Sequence, residues 1–456
     1  MKTILFISYD NDSYIPFFPL NIAYLSEAVI KAKGQPVIWN QDIHHGPESA
    51  LTELLDRHKI DIVGLGFCAG YYQYKKAKAI SRAVNESRRR KEFIYVLGGH
   101  GSAGDPEFFL DKLGADYLVV GDGEKAVSNL LGSSSVPANL PRLNDRIILG
   151  DPAQDDSAPF ETYARIGEAM NIYRLIRWPD SKRNDFCFPI LSSRGCKWNC
   201  SFCYRMRNGF HERPVEAIIE EIKWLHIHLG ITHFQFADEL LMSSAKRTEA
   251  ICEAILALPF KIRWDCNGRL NFATSPLMSL MKQAGASYVN YGIESLDQKL
   301  LNEMGKGLTL NQIYSGVQAT LEAGLSPGLN LLWGFPSDSE KNLWEMVKFL
   351  KQYDPCHELR TIRPVTPYPG CPLFNLAVEG GLVKNTEDFY ENLHQNSDLI
   401  SVNFMDIPTP EAHRMLMEAN KELIRSYYAK RLGSVISDAE RLYLKGDEKF
   451  RGFRAV

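Results

Sequence analysis

The chain has 456 residues, 45% of them apolar and 23% charged, with a formal net charge of −3. That length suffices for two or three domains, each with its own core, and the near-neutral balance argues against a general electrostatic grip on nucleic acid. No run approaches the apolar length that spans a bilayer, and nine cysteines without a secretory signal fit a reducing, cytoplasmic setting.

Residues 1–140 alternate strand and helix patterns at the short spacing of a parallel sheet. Strands are expected at 3–8, 36–39, 60–67, 93–97 and 117–120, with a helix over 20–33 that stops at Gly34. Glycine-rich turns follow two of these strands: Gly98-Gly99-His100 and Gly121-Asp122-Gly123-Glu124. Such turns, at the carboxyl ends of strands, are where doubly wound sheets bind ligands. Glycine there permits close backbone approach to a bulky group. Gly98-Gly99 does not extend to G-x-G-x-x-G, so a dinucleotide site is not supported. The basic run Arg88-Arg89-Arg90-Lys91 reads as a solvated helix end, where positive charge suits the helix dipole.

Residues 141–187 read as a linker, with Pro137, Pro141, Pro152 and Pro159 along its approach. The alternation then resumes. Strands are expected at 188–193, 232–237, 262–266, 287–292, 328–333 and 358–363, each followed by a helical pattern except the last. Six such units fall short of the eight of a closed barrel. Polar residues at the carboxyl ends of these strands should face the site. They are Asp238-Glu239, Asn267-Gly268-Arg269 and Gly292-Ile293-Glu294-Ser295, followed by a stiff proline-rich loop from Pro364 to Leu373. Residues 376–456 carry helical periodicity at 410–429 and 435–445.

The densest chemistry lies in Arg194-Gly195-Cys196-Lys197-Trp198-Asn199-Cys200-Ser201-Phe202-Cys203-Tyr204. Three thiolates on one tight loop can hold three irons of a cubane cluster and leave the fourth open. A zinc site would want a fourth ligand, for which His211 is the nearest candidate. The other cysteines, Cys68, Cys187, Cys252, Cys266, Cys356 and Cys371, are scattered and read as packing.

The C-x3-C-x2-C spacing resembles the radical S-adenosylmethionine (SAM) superfamily, and the order of segments resembles its cobalamin-dependent branch. The resemblance implies an α/β fold. A doubly wound, Rossmann-like cobalamin-binding domain (1–140) and a linker (141–187) would precede a partial (β/α)6 radical SAM barrel (188–375) and a helical C-terminal region (376–456). The cofactors implied are a [4Fe-4S] cluster on Cys196, Cys200 and Cys203, S-adenosyl-L-methionine and cobalamin. Phe202 would pack on the adenine of SAM, while Asp238 and Glu239 would accept from its amino group. Glu294 would sit in the SAM or substrate pocket, and Arg269 would pair with the SAM carboxylate or with Glu294. Gly98, Gly99, His100, Gly121 and Gly123 would line the cobalamin. Many cobalamin domains supply a cobalt-binding histidine through Asp-x-His-x-x-Gly after the first strand. Here that loop reads Asp10-Asn11-Asp12-Ser13-Tyr14, and Asp42-Ile43-His44-His45-Gly46 lies on a different loop and is one residue short. Cobalamin without a protein histidine is therefore expected, with His44 and His45 at the surface.

The activity implied is methyl transfer. Reductive cleavage of SAM gives a 5′-deoxyadenosyl radical, hydrogen is abstracted from an unactivated carbon, and the methyl group comes from methylcobalamin. The expected partners are a small-molecule or peptide substrate and an electron donor such as flavodoxin or ferredoxin. A cyclase or rearrangement enzyme would share these cofactors, and a cofactor-binding sensor without turnover is the alternative of another class. A methylthiotransferase would need further cluster cysteines in the first domain, where only Cys68 stands.

Overall fold

The computed structural model describes residues 1–12, 18–132, 141–150, 156–166, 173, 184–205 and 209–445. Ser13, Tyr14, Pro137, Pro152 and parts of the linker stretch lie outside them. The first sheet comprises β1 (Thr3–Ser8), β2 (Gln35–Asn40), β3 (Ile62–Gly66), β4 (Ile94–Gly98), β5 (Tyr117–Val120) and β6 (Ile147–Leu149). Its order is β2-β1-β3-β4-β5-β6, and all neighbours are parallel. A parallel sheet is covered on both faces, which explains why Ile4, Leu5, Phe6 and Ile7 form an unbroken apolar run that is buried throughout. The winding reverses between β1 and β3, and the crevice at such a switch point is where this architecture takes ligands. The sixth strand arises in the stretch read as linker, so the sheet continues beyond residue 140. Three residues are too few to leave a periodic signal.

The remaining described strands are β7 (Cys187–Ile190), β8 (Ser193–Gly195), β9 (Phe210–Glu212), β10 (His233–Phe236), β11 (Arg263–Gly268), β12 (Ala286–Glu294), β13 (Ser326–Trp333) and β14 (Arg363–Pro364). Six of them form a parallel sheet in the order β14-β13-β12-β11-β10-β7, whose two outer strands are not paired with each other. This is the expected partial barrel. β8 and β9 make a separate antiparallel ribbon, with Ser193 opposite Glu212 and Gly195 opposite Phe210.

One contiguous apolar core runs through both sheets. Phe18 of the first domain sits 4.6 Å, centroid to centroid, from Phe188 of β7. At one point the backbones of the two domains meet glycine on glycine. Gly104 ends the short turn His100–Ala103, and a Cβ there would collide with the carbonyl oxygen of Pro369. A Cβ on Gly370 would lie 2.6 Å from the Cα of Gly104.

The tail differs from its pattern. One continuous helix, Thr409–Tyr443, replaces the two expected stretches, because Gly433 in a solvated helix costs only about 1 kcal/mol and does not break it. No helix among the described residues is long and apolar enough to cross a membrane.

Candidate active site

The cysteine loop begins where β8 ends. Gly195 has φ +79, a conformation open to glycine, and turns the chain into Cys196. The loop is anchored from both sides: the Ser201 amide donates to the Met304 carbonyl at 2.9 Å, and the Leu373 amide donates to the Ser201 carbonyl at 2.8 Å. Within it, the Cys203 amide donates to the Cys200 carbonyl at 3.1 Å. Burial, then the neighbouring Cys200, push the Cys203 thiol up to about 11. A thiol this reluctant to ionise becomes a thiolate when a metal takes its proton's place. Among the described residues no three His, Cys, Asp or Glu side chains converge on a single-ion site. His211 faces Asp156 at 2.7 Å instead of the cysteines. The donor set therefore suits a cluster held by three thiolates better than a four-ligand zinc ion.

The barrel surrounds this loop with tied-down polar groups. Asp238 is 1% exposed; it accepts from the Ser192 amide and the Ser193 hydroxyl at 2.7 Å each, and from the Ser192 hydroxyl. Burial raises its carboxyl to about 6. Its oxygens are thus taken up in holding the entry to β8. Glu239, the next residue, faces the first domain and meets His100 Nε2 at 3.1 Å. The two expected SAM-amine acceptors consequently occupy different environments, and Glu239 is the accessible one.

Glu294 closes β12 at φ +70, next to a register shift at Gly292. Its carboxylate turns back to Lys306 Nζ at 2.8 Å, both groups being nearly buried. A Cβ on Gly292 would occupy the space used by the Glu294 carboxylate. Arg269 does not take the Glu294 carboxylate as a partner. Its guanidinium lies 3.6 Å over the Trp198 ring and donates to the Lys306 carbonyl. Phe202 is half-buried and meets Phe335 edge-on at 5.5 Å.

Three asparagines, of which only Asn267 lay in an expected strand-end motif, line up across the barrel interior. Asn267 donates to the Asp238 carbonyl at 2.6 Å, Asn290 to Asn267 Oδ1 at 3.0 Å, and Asn330 to Asn290 Oδ1 at 2.8 Å and to the Tyr291 carbonyl at 3.2 Å. Backbone carbonyls at both ends fix the amide orientations. The ladder therefore runs one way and ends at Asn330, an exposed residue, in a free-facing acceptor oxygen. Lys306, Trp198, Ser192, Ser193 and Gly104 were also missed. Asn267 and Asn290 are register partners on β11 and β12, whereas Asn330 on β13 pairs with Gly292, two residues further along β12, so no simple spacing marks the ladder in the sequence.

On the first-domain side, Gly99 (φ +88) and Gly121 (φ +105) need glycine for their backbone conformation. A Cβ at Gly99 would lie 2.7 Å from the Phe67 carbonyl oxygen, and one at Gly121 would lie 3.1 Å from that of Gly150. Glycine here packs backbone on backbone, whereas close approach to a ligand was the reason expected. Gly98 and Gly123 have no left-handed φ; a Cβ would come no nearer than 3.7 Å to its neighbours at Gly98, against 3.0 Å at Gly123. The loop from Gly121 to Glu124 is clasped to the barrel by Arg194, which reaches Glu124 at 2.6 Å and Asp122 at 3.4 Å. Since Arg194 lies two residues before Cys196, one side chain links the cobalamin-lining candidates to the cysteine loop. His44 and His45 are exposed, as expected, with His45 paired to Asp10 at 2.8 Å. Cys68 departs from its reading: it is exposed on the loop after β3.

The model of the radical SAM superfamily matches residues 190–350, and that of the B12 binding domain matches residues 13–131. An uncharacterized methyltransferase of Pyrococcus horikoshii is 27% identical over 80% of this chain and 79% of its own. Bacteriochlorophyllide d C-8(2)-methyltransferase of Chlorobaculum tepidum is 28% identical over 76% of this chain and 77% of its own. Among solved structures, the radical S-adenosylmethionine methyltransferase TsrM of Kitasatospora setae superposes with a TM-score of 0.67 at 16% identity, covering 84% of this chain and 77% of that one.

Proposed function

The chain belongs to the cobalamin-dependent radical SAM enzymes, and on that premise we propose that it moves a methyl group from methylcobalamin to an unactivated carbon of a small-molecule or peptide substrate. When bound, the cluster supplies the electron that cleaves SAM, and cobalamin supplies the methyl group. The observation that carries the reading is the junction of the two domains at the cysteine loop: Arg194 ties it to Asp122 and Glu124, and Glu239 meets His100. The loops assigned to the two cofactors are thus brought face to face, and closure of such a junction excludes water from reactive species.

Each side has a definite task. Cys196, Cys200 and Cys203 hold the cluster, and Phe202 offers an apolar face for the adenine. Glu239 offers an accessible carboxylate to the SAM ammonium, while Asp238 holds the strand end beneath it. The loops of Gly98, Gly99, His100, Gly121 and Gly123 take the cobalamin. The asparagine ladder ends in an acceptor, so the ligand group seated at Asn330 is a donor, such as a hydroxyl, amine or amide N–H. A flavodoxin or ferredoxin of the cytoplasm supplies the electron.

The test uses anaerobically reconstituted protein supplied with hydroxocobalamin and desalted. About four irons per chain with retained corrin absorption support the reading. Incubation with SAM carrying a deuterated methyl group then reports label transfer to the substrate. Zinc in place of iron sinks the proposal, and iron without cobalamin removes the methylcobalamin step.

A further inference from the structure

Arg269 was expected to pair with the SAM carboxylate or with Glu294; its guanidinium meets Trp198 and the Lys306 carbonyl. It is 6% exposed. Its flat face rests 3.6 Å over Trp198, in the middle of the cysteine loop, and one arm of the fork is fixed by the Lys306 carbonyl. Its Nε is buried without a partner, as is Trp198 Nε1. Glu294 is paired to Lys306 at 2.8 Å, and Trp198 stands between Cys196 and Cys200 in the chain, so the stack seats the guanidinium against the stretch that carries these two thiols. Gly307, at φ +61, packs against both members of the stack: a Cβ there would lie 3.0 Å from the Trp198 ring and 3.3 Å from Arg269 Nη2. An arginine that binds a carboxylate presents its fork freely. This one is clamped face-on by Trp198 and edge-on by the Lys306 carbonyl, against the part of the loop between two of the three cysteines.

We propose that Arg269 is a positioning residue for the cluster's charge: a fixed cation that raises the reduction potential of the iron–sulfur cluster on Cys196, Cys200 and Cys203, and not a SAM ligand. The inference rests on the radical SAM reading of the loop. Reduction takes one electron from an external low-potential donor, which is oxidised by one electron, and adds one negative charge to a cluster already bound by three thiolates. A buried cation beside those thiolates favours the more negative state, and the low local dielectric strengthens the effect. Arginine stays charged throughout, so no proton moves with the electron.

The experiment is an anaerobic redox titration of the reconstituted full chain, without SAM, read by the electron paramagnetic resonance signal of the reduced cluster. Wild type is compared with R269Q, R269K and W198L, and iron content and SAM affinity are measured for each. With iron retained, R269Q is expected to show a more negative midpoint potential, and R269K to stay close to wild type. W198L, which keeps the charge but frees the guanidinium, is expected to fall in between. SAM affinity is expected to change less than about threefold in R269Q, under 1 kcal/mol. An unchanged potential in iron-loaded R269Q overturns the proposal, as does loss of SAM binding with the potential intact. If R269Q fails to hold iron, W198L decides: a potential equal to wild type overturns the proposal, and a fall that R269K does not share supports it. Failure of wild type to bind iron would instead strike the underlying reading, and the iron count separates the two cases.

Discussion

On the barrel side of the junction, side chains dominate the site: the cysteines, the Glu294–Lys306 pair at 2.8 Å and the Arg269–Trp198 stack at 3.6 Å. On the wall of the first domain the backbone does the equivalent work, with Gly99 against Phe67, Gly121 against Gly150 and Gly104 against Pro369. A wall held by charged and nucleophilic side chains is sensitive to the identity of single groups. A wall held by backbone contact is sensitive to added volume. Deletions should therefore break the first, and an added methyl group the second.

The largest effect is expected from Cys200→Ala. Iron should be lost and activity abolished, while cobalamin stays bound; colorimetric iron and the corrin spectrum read this directly. If iron and cobalamin leave together, the walls are not separable and the comparison fails. Next comes Lys306→Met, which strands the buried Glu294 carboxylate and should destabilise the chain by about 3–5 kcal/mol in urea unfolding. Adding Glu294→Gln to that variant should recover much of the loss, since the uncompensated charge is removed.

A pH dependence sharpens the barrel side. Burial works to lower His233, but hydrogen bonds to Asp265 and then Cys187 win and raise it to about 9. A raised folded-state value means the stabilisation is present in full below the ordinary histidine value near 6.5 and is lost as pH rises through about 9. Wild type should lose on the order of 2 kcal/mol relative to His233→Gln across that window. Parallel curves for the two proteins would show that His233 is not charged in the fold.

Gly104→Ala addresses the other wall. Gly104 has helical φ and ψ, so alanine is locally acceptable and the penalty arises only against Pro369. Cobalamin retention should weaken about tenfold, as expected for overpacking of about 1–3 kcal/mol, with the iron content unchanged. Undiminished retention would mean that domain closure does not hold the corrin. The smallest effect belongs to His100→Ala. The His100–Glu239 contact is about one-third exposed on each side, so its loss should cost less than about 1 kcal/mol.

The cysteine loop was legible, because three cysteines within the short stretch from Cys196 to Cys203 leave their spacing in the chain. The strand–helix alternation, and with it both sheets, was legible for the same local reason: periodicity is written residue by residue. The partners of Asp238, Arg269 and Glu294 were not. Each carboxyl-end motif named the right strand end, but which cation meets which anion depends on groups far along the chain. Ser192 is 46 residues from Asp238, and the Lys306 carbonyl is 37 from Arg269.

By itself, then, the sequence determined the two-domain α/β plan, the three-cysteine loop and the strand ends that surround it. Tertiary structure decided which of the polar groups remain available. Desolvation forces every buried charge to find a partner, and that partner is chosen by packing. It decided likewise that glycines at 104 and 370 set how closely the two walls approach. No local pattern encodes the distance between surfaces that meet only after both domains have folded.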